Sequence, residues 1–115
     1  MARRTSRGMP ATRAKHAPLF AALGDATRLA IVAKLAKGAA QSITQLTEGA
    51  GVTRQAITKH LRVLEAAGLV RREPIGREML FLLEPEPLVA LQDYLERVSK
   101  QWDAALARLK VHVER

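Results

Sequence analysis

From Leu88 onward an apolar residue recurs at alternating intervals of three and four: Leu88, Leu91, Leu95, Val98, Trp102, Ala105 and Leu109. That spacing is a heptad seam, and it predicts one long amphipathic helix over "LVALQDYLERVSKQWDAALARLKVHVE", entered through Pro85 and Pro87. A chain of 115 residues holds one domain with a modest core. Such a domain is too small to bury a helix of that length along its whole seam. The seam needs a partner surface, which is the first helix of the same chain, a second copy of the chain, or both.

Hydrophobic residues make up 48% of the chain but aromatics only 3%, so the core is built mainly from Leu, Ile, Val and Ala. Ala and Leu favour helices. The net charge of +8 and pI of about 10.9 point to a polyanionic partner, either nucleic acid or an acidic membrane surface. The charge is uneven: residues 1–17 carry +5, 18–52 carry +1, 53–83 carry +3 and 84–115 carry −1. Cysteine is absent, which excludes disulfides, thiolate zinc sites and cysteine nucleophiles and fits a reducing interior. The opening "MARRTSRGMPATRAKHA" lacks the apolar region of a secretory signal, and no apolar run reaches the roughly 18 residues of a bilayer span. The expectation is a cytoplasmic protein with no membrane partner. Residues 1–17 read as a flexible basic arm, either a solubilising tail or a contact for phosphates or a minor groove.

Residues 18–84 read as a sequence of short elements. A first helix starts near Pro18 with Leu19, Phe20 and Leu23 on one face, and Gly24 ends it. Asp25 caps "ATRLAIVAKLAKG", whose inward positions are expected at Leu29, Val32 and Leu35 or Ala36. Ser42 caps a short helix, "ITQLTEGA", with Ile43 and Leu46 inward, and Gly49 and Gly51 turn the chain into "TRQAITKHLRVLEAAGLV". Two extended runs follow, Leu69 to Glu73 and Glu78 to Leu83, joined by a loop from Pro74 to Arg77. Met79, Phe81 and Leu83 share a face by period-2 alternation. Residues 85–115 form the long last helix. A short helix, a Gly turn, a second helix and a hairpin together make a winged helix-turn-helix, mainly α with a small β wing.

With Thr53 as N-cap and about 100° per residue, Ile57, Leu61, Leu64 and Ala67 fall on one side of the second helix. Gln55, Thr58, Lys59 and Arg62 fall on the other, with Arg54 at its edge and Thr53 counted with them as a candidate DNA contact. This outer row has the chemistry of base and phosphate recognition: Arg pairs with guanine, Gln with adenine, and Thr or Lys reaches base edges or phosphates. A solvated helix face has a similar composition. The preceding short helix, the following wing and the lack of acidic residues from Thr53 to Leu64 favour recognition of DNA. Arg71, Arg72 and Arg77 surround the wing as candidate phosphate contacts, tempered by Glu73 and Glu78.

"LFAALGDATRLAIVAKLAKG", "SITQLTEGAGVTRQAITKHLRVLEAAGLVRRE" and "GREMLFLLEP" together resemble the ArsR-type (ArsR/SmtB-like) winged-helix transcriptional regulators, in register from about Pro18 to Leu83. The resemblance implies a homodimer joined by its first and last helices, with Leu19, Leu23, Leu91, Leu95, Val98, Trp102 and Leu109 at the interface. It further implies repression of its own or adjacent genes and DNA contacts on Arg54, Gln55, Thr58 and Lys59. Metal-sensing members place a Cys-x-Cys pair in the short helix, where this chain has Ser42 and Thr44, neither a soft-metal ligand. Others use His and carboxylate ligands on the last helix, where His112, Asp103 and Glu114 stand at unsuitable offsets. His16 lies in the arm, and His60 faces inward as a hydrogen-bonded scaffold residue. The expectation is a member without a metal site or cofactor, with any effector unidentified. Trp102 and Leu109 are either seam packing or the lining of a small-molecule pocket.

The expected function is a sequence-specific, dimeric regulator binding an imperfect inverted repeat in double-stranded DNA. The competing reading is a protein-interaction or architectural module with non-specific nucleic-acid binding. No paired carboxylates, activated nucleophile or phosphate-binding Gly loop has usable spacing, so an enzyme is not expected.

Overall fold

The computed structural model describes residues 11–114. The chain runs α1 (Ala11–Leu23), α2 (Ala26–Leu35), α3 (Ile43–Thr47), α4 (Arg54–Ala66), β1 (Val70–Ile75), β2 (Glu78–Leu83) and α5 (Pro85–Glu114). The two strands pair antiparallel, making a mainly α winged helix-turn-helix.

Side-chain caps set where the helices start. The Asp25 carboxylate accepts from the Arg28 N–H at 3.0 Å. Ser42 and Gln45 form a reciprocal capping box, Oγ accepting from the Gln45 N–H at 3.2 Å and Oε1 from the Ser42 N–H at 2.9 Å. Thr53 Oγ1 accepts from the Ala56 N–H at 3.1 Å. A five-residue helix is not stable on its own. α3 is held at its other end too, where Lys34 of α2 donates to the Glu48 carbonyl at 2.8 Å.

α4 ends in a Schellman motif: the Gly68 N–H donates to the Glu65 carbonyl at 2.9 Å and the Leu69 N–H to the Leu64 carbonyl at 3.0 Å. Gly68 sits at φ 81°, a left-handed conformation that disfavours any residue with a Cβ. The reversal brings Leu64 and Leu69 together as two fully buried side chains and aims β1 along the domain. Around them the core gathers Ala22, Ile31, Leu35, Leu46, Ile57, Leu61, Val70 and Phe81. Gln41 adds a bridge to the wing, exchanging backbone hydrogen bonds with Phe81 at 3.1 and 2.8 Å.

Several sequence expectations are corrected. α1 begins at Ala11, so residues 11–17 are helix rather than arm, and residues 1–10 of the arm lie outside the described residues. Pro18 falls inside α1, where it removes one N–H bond, and the helix persists because His16 and Phe20 pack on Tyr94 of α5 with ring centroids 4.9 and 6.0 Å apart. In α2 Leu35 is buried and Val32 packs partly buried against the core, as expected, but Leu29 is 53% exposed and Ile31 is buried instead. Leu29 and Ile31 point to roughly opposite sides of a helix, so only one of the two can face the core. The hairpin loop is only Gly76 and Arg77, because Pro74 and Ile75 belong to β1. Ile75 and Glu78 close the turn, so Pro74 opposite Met79 occupies a pair that exchanges no ladder hydrogen bonds and its missing N–H costs nothing. Gly76, at φ 63°, supplies the positive dihedral that a two-residue hairpin requires. Met79, Phe81 and Leu83 share a face, but Met79 lies beyond the core and is exposed.

Candidate nucleic-acid interface

α4 presents the two sides that its sequence pattern predicts. Ile57, Leu61 and Leu64 are buried, while Arg54, Gln55, Lys59 and Arg62 are exposed. Thr58 is half-buried, and its Oγ1 donates to the Arg54 carbonyl at 2.9 Å. That bond occupies the hydroxyl proton. Arg54 Nη1 donates to Thr44 Oγ1 at 2.8 Å, which ties the first residue of α4 to α3. Among the described residues no carboxylate forms an ion pair with Arg54, Lys59 or Arg62, so the row keeps its positive charge.

His60 is held on the scaffold side, as expected. Its Nδ1 lies 3.1 Å from Arg28 Nη1 and 3.8 Å from Asp25 Oδ2. Arg28 is always protonated and only donates, so Nδ1 is the acceptor of that bond. Arg28 Nε also donates to the Ala22 carbonyl, so one guanidinium joins the end of α1, the first turn of α2 and the middle of α4. The Arg28 N–H that Asp25 accepts, together with the nearby Arg28 guanidinium, holds the Asp25 carboxyl below its ordinary range.

The wing arginines divide into two groups. Arg72 makes a bidentate pair with Glu65 of α4, at 2.9 and 2.7 Å, and its guanidinium lies 5.6 Å from the centre of the Phe81 ring. Arg71 pairs with Glu84 at 2.7 Å and Glu73 at 3.5 Å. Both sit at the base of the wing with their charge locally matched, and they tie the hairpin to α4 and to the start of α5. Arg77 is at the exposed tip with no ion pair among the described residues. Glu73 takes part as expected, whereas Glu65 and Glu84 come from other elements and Glu78 pairs with none of the described residues.

Residues 23–73, which contain this unit, match a family model described as a helix-turn-helix domain. The HTH-type transcriptional regulator Rv2034 of Mycobacterium tuberculosis is 40% identical over 85 residues, covering 74% of this chain and 76% of its own length. An ArsR-like transcriptional regulator from Rhodococcus sp. RHA1 superposes with a TM-score of 0.72 at 40% identity, covering 88% of this chain and 94% of its own. The chain belongs to the ArsR-type family of winged helix-turn-helix regulators. The HTH-type transcriptional repressor SmtB of M. tuberculosis is 35% identical over 65 residues, 56% of this chain and 47% of its own length. As an ArsR-type regulator the protein is a DNA-binding transcriptional regulator, and no helix among its described residues is long and apolar enough to cross a membrane.

Two positions where metal-sensing ArsR-type regulators carry cysteines have structural work here. Ser42 caps α3, and Thr44 accepts the Arg54 bond. Among the described residues no group of three or more His, Asp or Glu side chains is placed to hold a metal. The residues expected at the dimer seam divide as well. Leu91 is only 4% exposed and belongs to the chain's own core, with Leu19 and Leu23 partly buried against it. Leu95, Trp102 and Leu109 are exposed and Val98 is half-buried. α5 needs the fold only for its first turns, because α1 is too short to follow a helix about 45 Å long. The sequence reading missed Thr44, Arg28, Glu65 and Glu84. None carries a local signal, since each meets its partner through the fold.

Proposed function

We propose that this ArsR-type regulator is a homodimeric repressor of its own or adjacent genes. Each protomer would place Arg54, Gln55, Thr58 and Lys59 of α4 in the major groove of one half of an imperfect inverted repeat. The observation that carries this reading is the exposed row on α4, held at its start by the Thr53 cap and the Arg54–Thr44 bond and free of carboxylate partners among the described residues. With its hydroxyl proton engaged, Thr58 has its methyl left for a base contact, which suits the methyl group of thymine. Arg62 lies further along the helix and is assigned to phosphate, as is Arg77 at the wing tip. Arg71 and Arg72 are assigned to holding the wing, because each would have to give up a carboxylate before meeting phosphate.

The dimer reading rests on α5. Leu95, Trp102, Leu106, Leu109 and Val113 are exposed along one stripe of a single helix, an arrangement that marks an interface. A two-fold axis between the copies would set the recognition helices about 34 Å apart, one turn of DNA. Binding selection on fragments of the source genome, followed by footprinting, tests the whole reading. The expected result is a symmetric footprint with that spacing and an affinity at least about a thousandfold above random duplex. An asymmetric footprint, or equal affinity for random duplex, refutes it in favour of an architectural role.

A further inference from the structure

Arg54 opens α4, where a cation opposes the positive end of the helix dipole, so its charge does nothing for the stability of the helix that carries it. What holds it is Thr44, the second residue of α3 and exposed like Arg54 itself. The bond from Arg54 Nη1 to Thr44 Oγ1, 2.8 Å long, is the one hydrogen bond that this guanidinium makes among the described residues. Held at Nη1, the guanidinium keeps the edge formed by Nε and Nη2 unoccupied. That edge presents two parallel N–H groups, the pair that guanine O6 and N7 accept. Both residues also line a hollow of about 400 Å³ between α3 and the start of β2, together with Glu78. The Glu78 carboxylate has no ion partner among the described residues. It is the anion that an untethered Arg54 would turn to, which would take the guanidinium out of the outer row of α4.

We propose that Thr44 is a positioning residue for sequence recognition: its hydroxyl holds the Arg54 guanidinium in the orientation that reads a base and keeps it from the wing carboxylate. The inference rests on the reading of Arg54 as a base contact. It goes beyond that reading by giving α3 a part in specificity, through a side chain that acts on Arg54 rather than on DNA. A free Arg side chain has many rotamers, and ordering it on binding costs affinity; a guanidinium already held loses less. Phosphates carry no sequence information, so the tether acts on discrimination between bases more than on overall affinity. Thr58 does not share this role, because its hydroxyl bonds the Arg54 carbonyl and leaves the guanidinium alone.

The test sequences the fraction that the full chain binds from a library of duplexes carrying a randomised inverted repeat. Arg54→Ala should flatten the preference at one position of each half-site and so locate the base that Arg54 reads. Thr44→Val keeps the side chain's shape and removes its hydroxyl. It should lower the preference at that same position by about three- to tenfold, the worth of one hydrogen bond, and leave the other positions unchanged. Thr44→Ser should restore the preference, and adding Glu78→Gln to Thr44→Val should recover part of it. In the Arg54→Ala background Thr44→Val should change nothing further. Thr44→Ala, read in the same library, covers the case in which valine disturbs α3. The tether is overturned if Thr44→Val and Thr44→Ala leave that position unchanged, if they lower every position alike, or if Thr44→Ser behaves as Thr44→Val does. No recovery with Glu78→Gln overturns the competition from the wing. If Arg54→Ala itself flattens no position, the assignment of Arg54 as a base contact fails, and the tether falls with it.

Discussion

Replacing Trp102 by alanine separates the proposed interface part of the α5 seam from its core part. Trp102 is 59% exposed in one protomer. An aromatic of this size buries up to about 250 Å², so roughly 100–150 Å² is left for a partner to cover. At about 25 cal/mol per Å² that is roughly 3 kcal/mol, and two-fold symmetry counts it twice, about 6 kcal/mol per dimer. Alanine retains part of the contact, so the dimer dissociation constant should rise at least about a thousandfold, equivalent to about 4 kcal/mol. Sedimentation equilibrium over a dilution series measures it directly. Leu91→Ala is the contrast. Its side chain is 4% exposed within its own chain, so truncation should cost about 2–5 kcal/mol of folding stability in dilute monomer, read by urea unfolding. Trp102→Ala should leave that monomer transition in place. A dimer constant within about tenfold of wild type would refute the assignment. So would a monomer destabilised by Trp102→Ala as much as by Leu91→Ala.

Arg54→Ala should weaken operator binding by about 1–3 kcal/mol and relax preference at one base position, whereas Lys59→Ala should weaken all sequences alike and lower the salt slope by about one; binding selections at two salt concentrations check both. Arg77→Ala should likewise reduce the salt slope, while Arg71→Ala should act mainly on stability, so a larger slope change for Arg71→Ala than for Arg77→Ala would reverse the assignment of the wing. The hydrogen bond from Arg72 holds the Glu65 carboxyl below its ordinary value of 4.5. The unfolded chain then binds the proton more readily, so the stability from this pair is full above about pH 4.5 and is lost as pH falls through the lowered value. Glu65→Gln should flatten that acid limb in urea titrations between pH 5 and 3 (about the carboxylate range), and an unchanged limb would count against the pair.

The order of elements was legible because each boundary carries its own local chemistry. Asp25, Ser42 and Thr53 cap the helices that follow them, and Gly68 and Gly76 supply the left-handed turns. The two sides of α4 were legible for the same reason: a helix turns by a constant angle, so the partition between Ile57, Leu61, Leu64 and the outer row follows from spacing alone. The start of α1 was not legible. Pro18 is a local signal for a first turn, and the packing of His16 and Phe20 on Tyr94, some 75 residues away, overrides it.

Sequence alone determined that this chain is a helix-turn-helix with a wing, which face of α4 carries cations, and that α5 has more apolar surface than the domain can cover. Periodicity and capping are properties of neighbouring residues, so they are written along the chain. Only the tertiary structure decided that α2 buries Ile31 and leaves Leu29 exposed, and that Leu91 belongs to the core while Trp102 is exposed on the single chain. It also decided that Arg71 and Arg72 are matched by Glu84 and Glu65 while Arg54, Lys59 and Arg62 have no carboxylate partner among the described residues. Burial and ion pairing depend on distances between elements far apart in sequence, and only the assembled fold sets those distances.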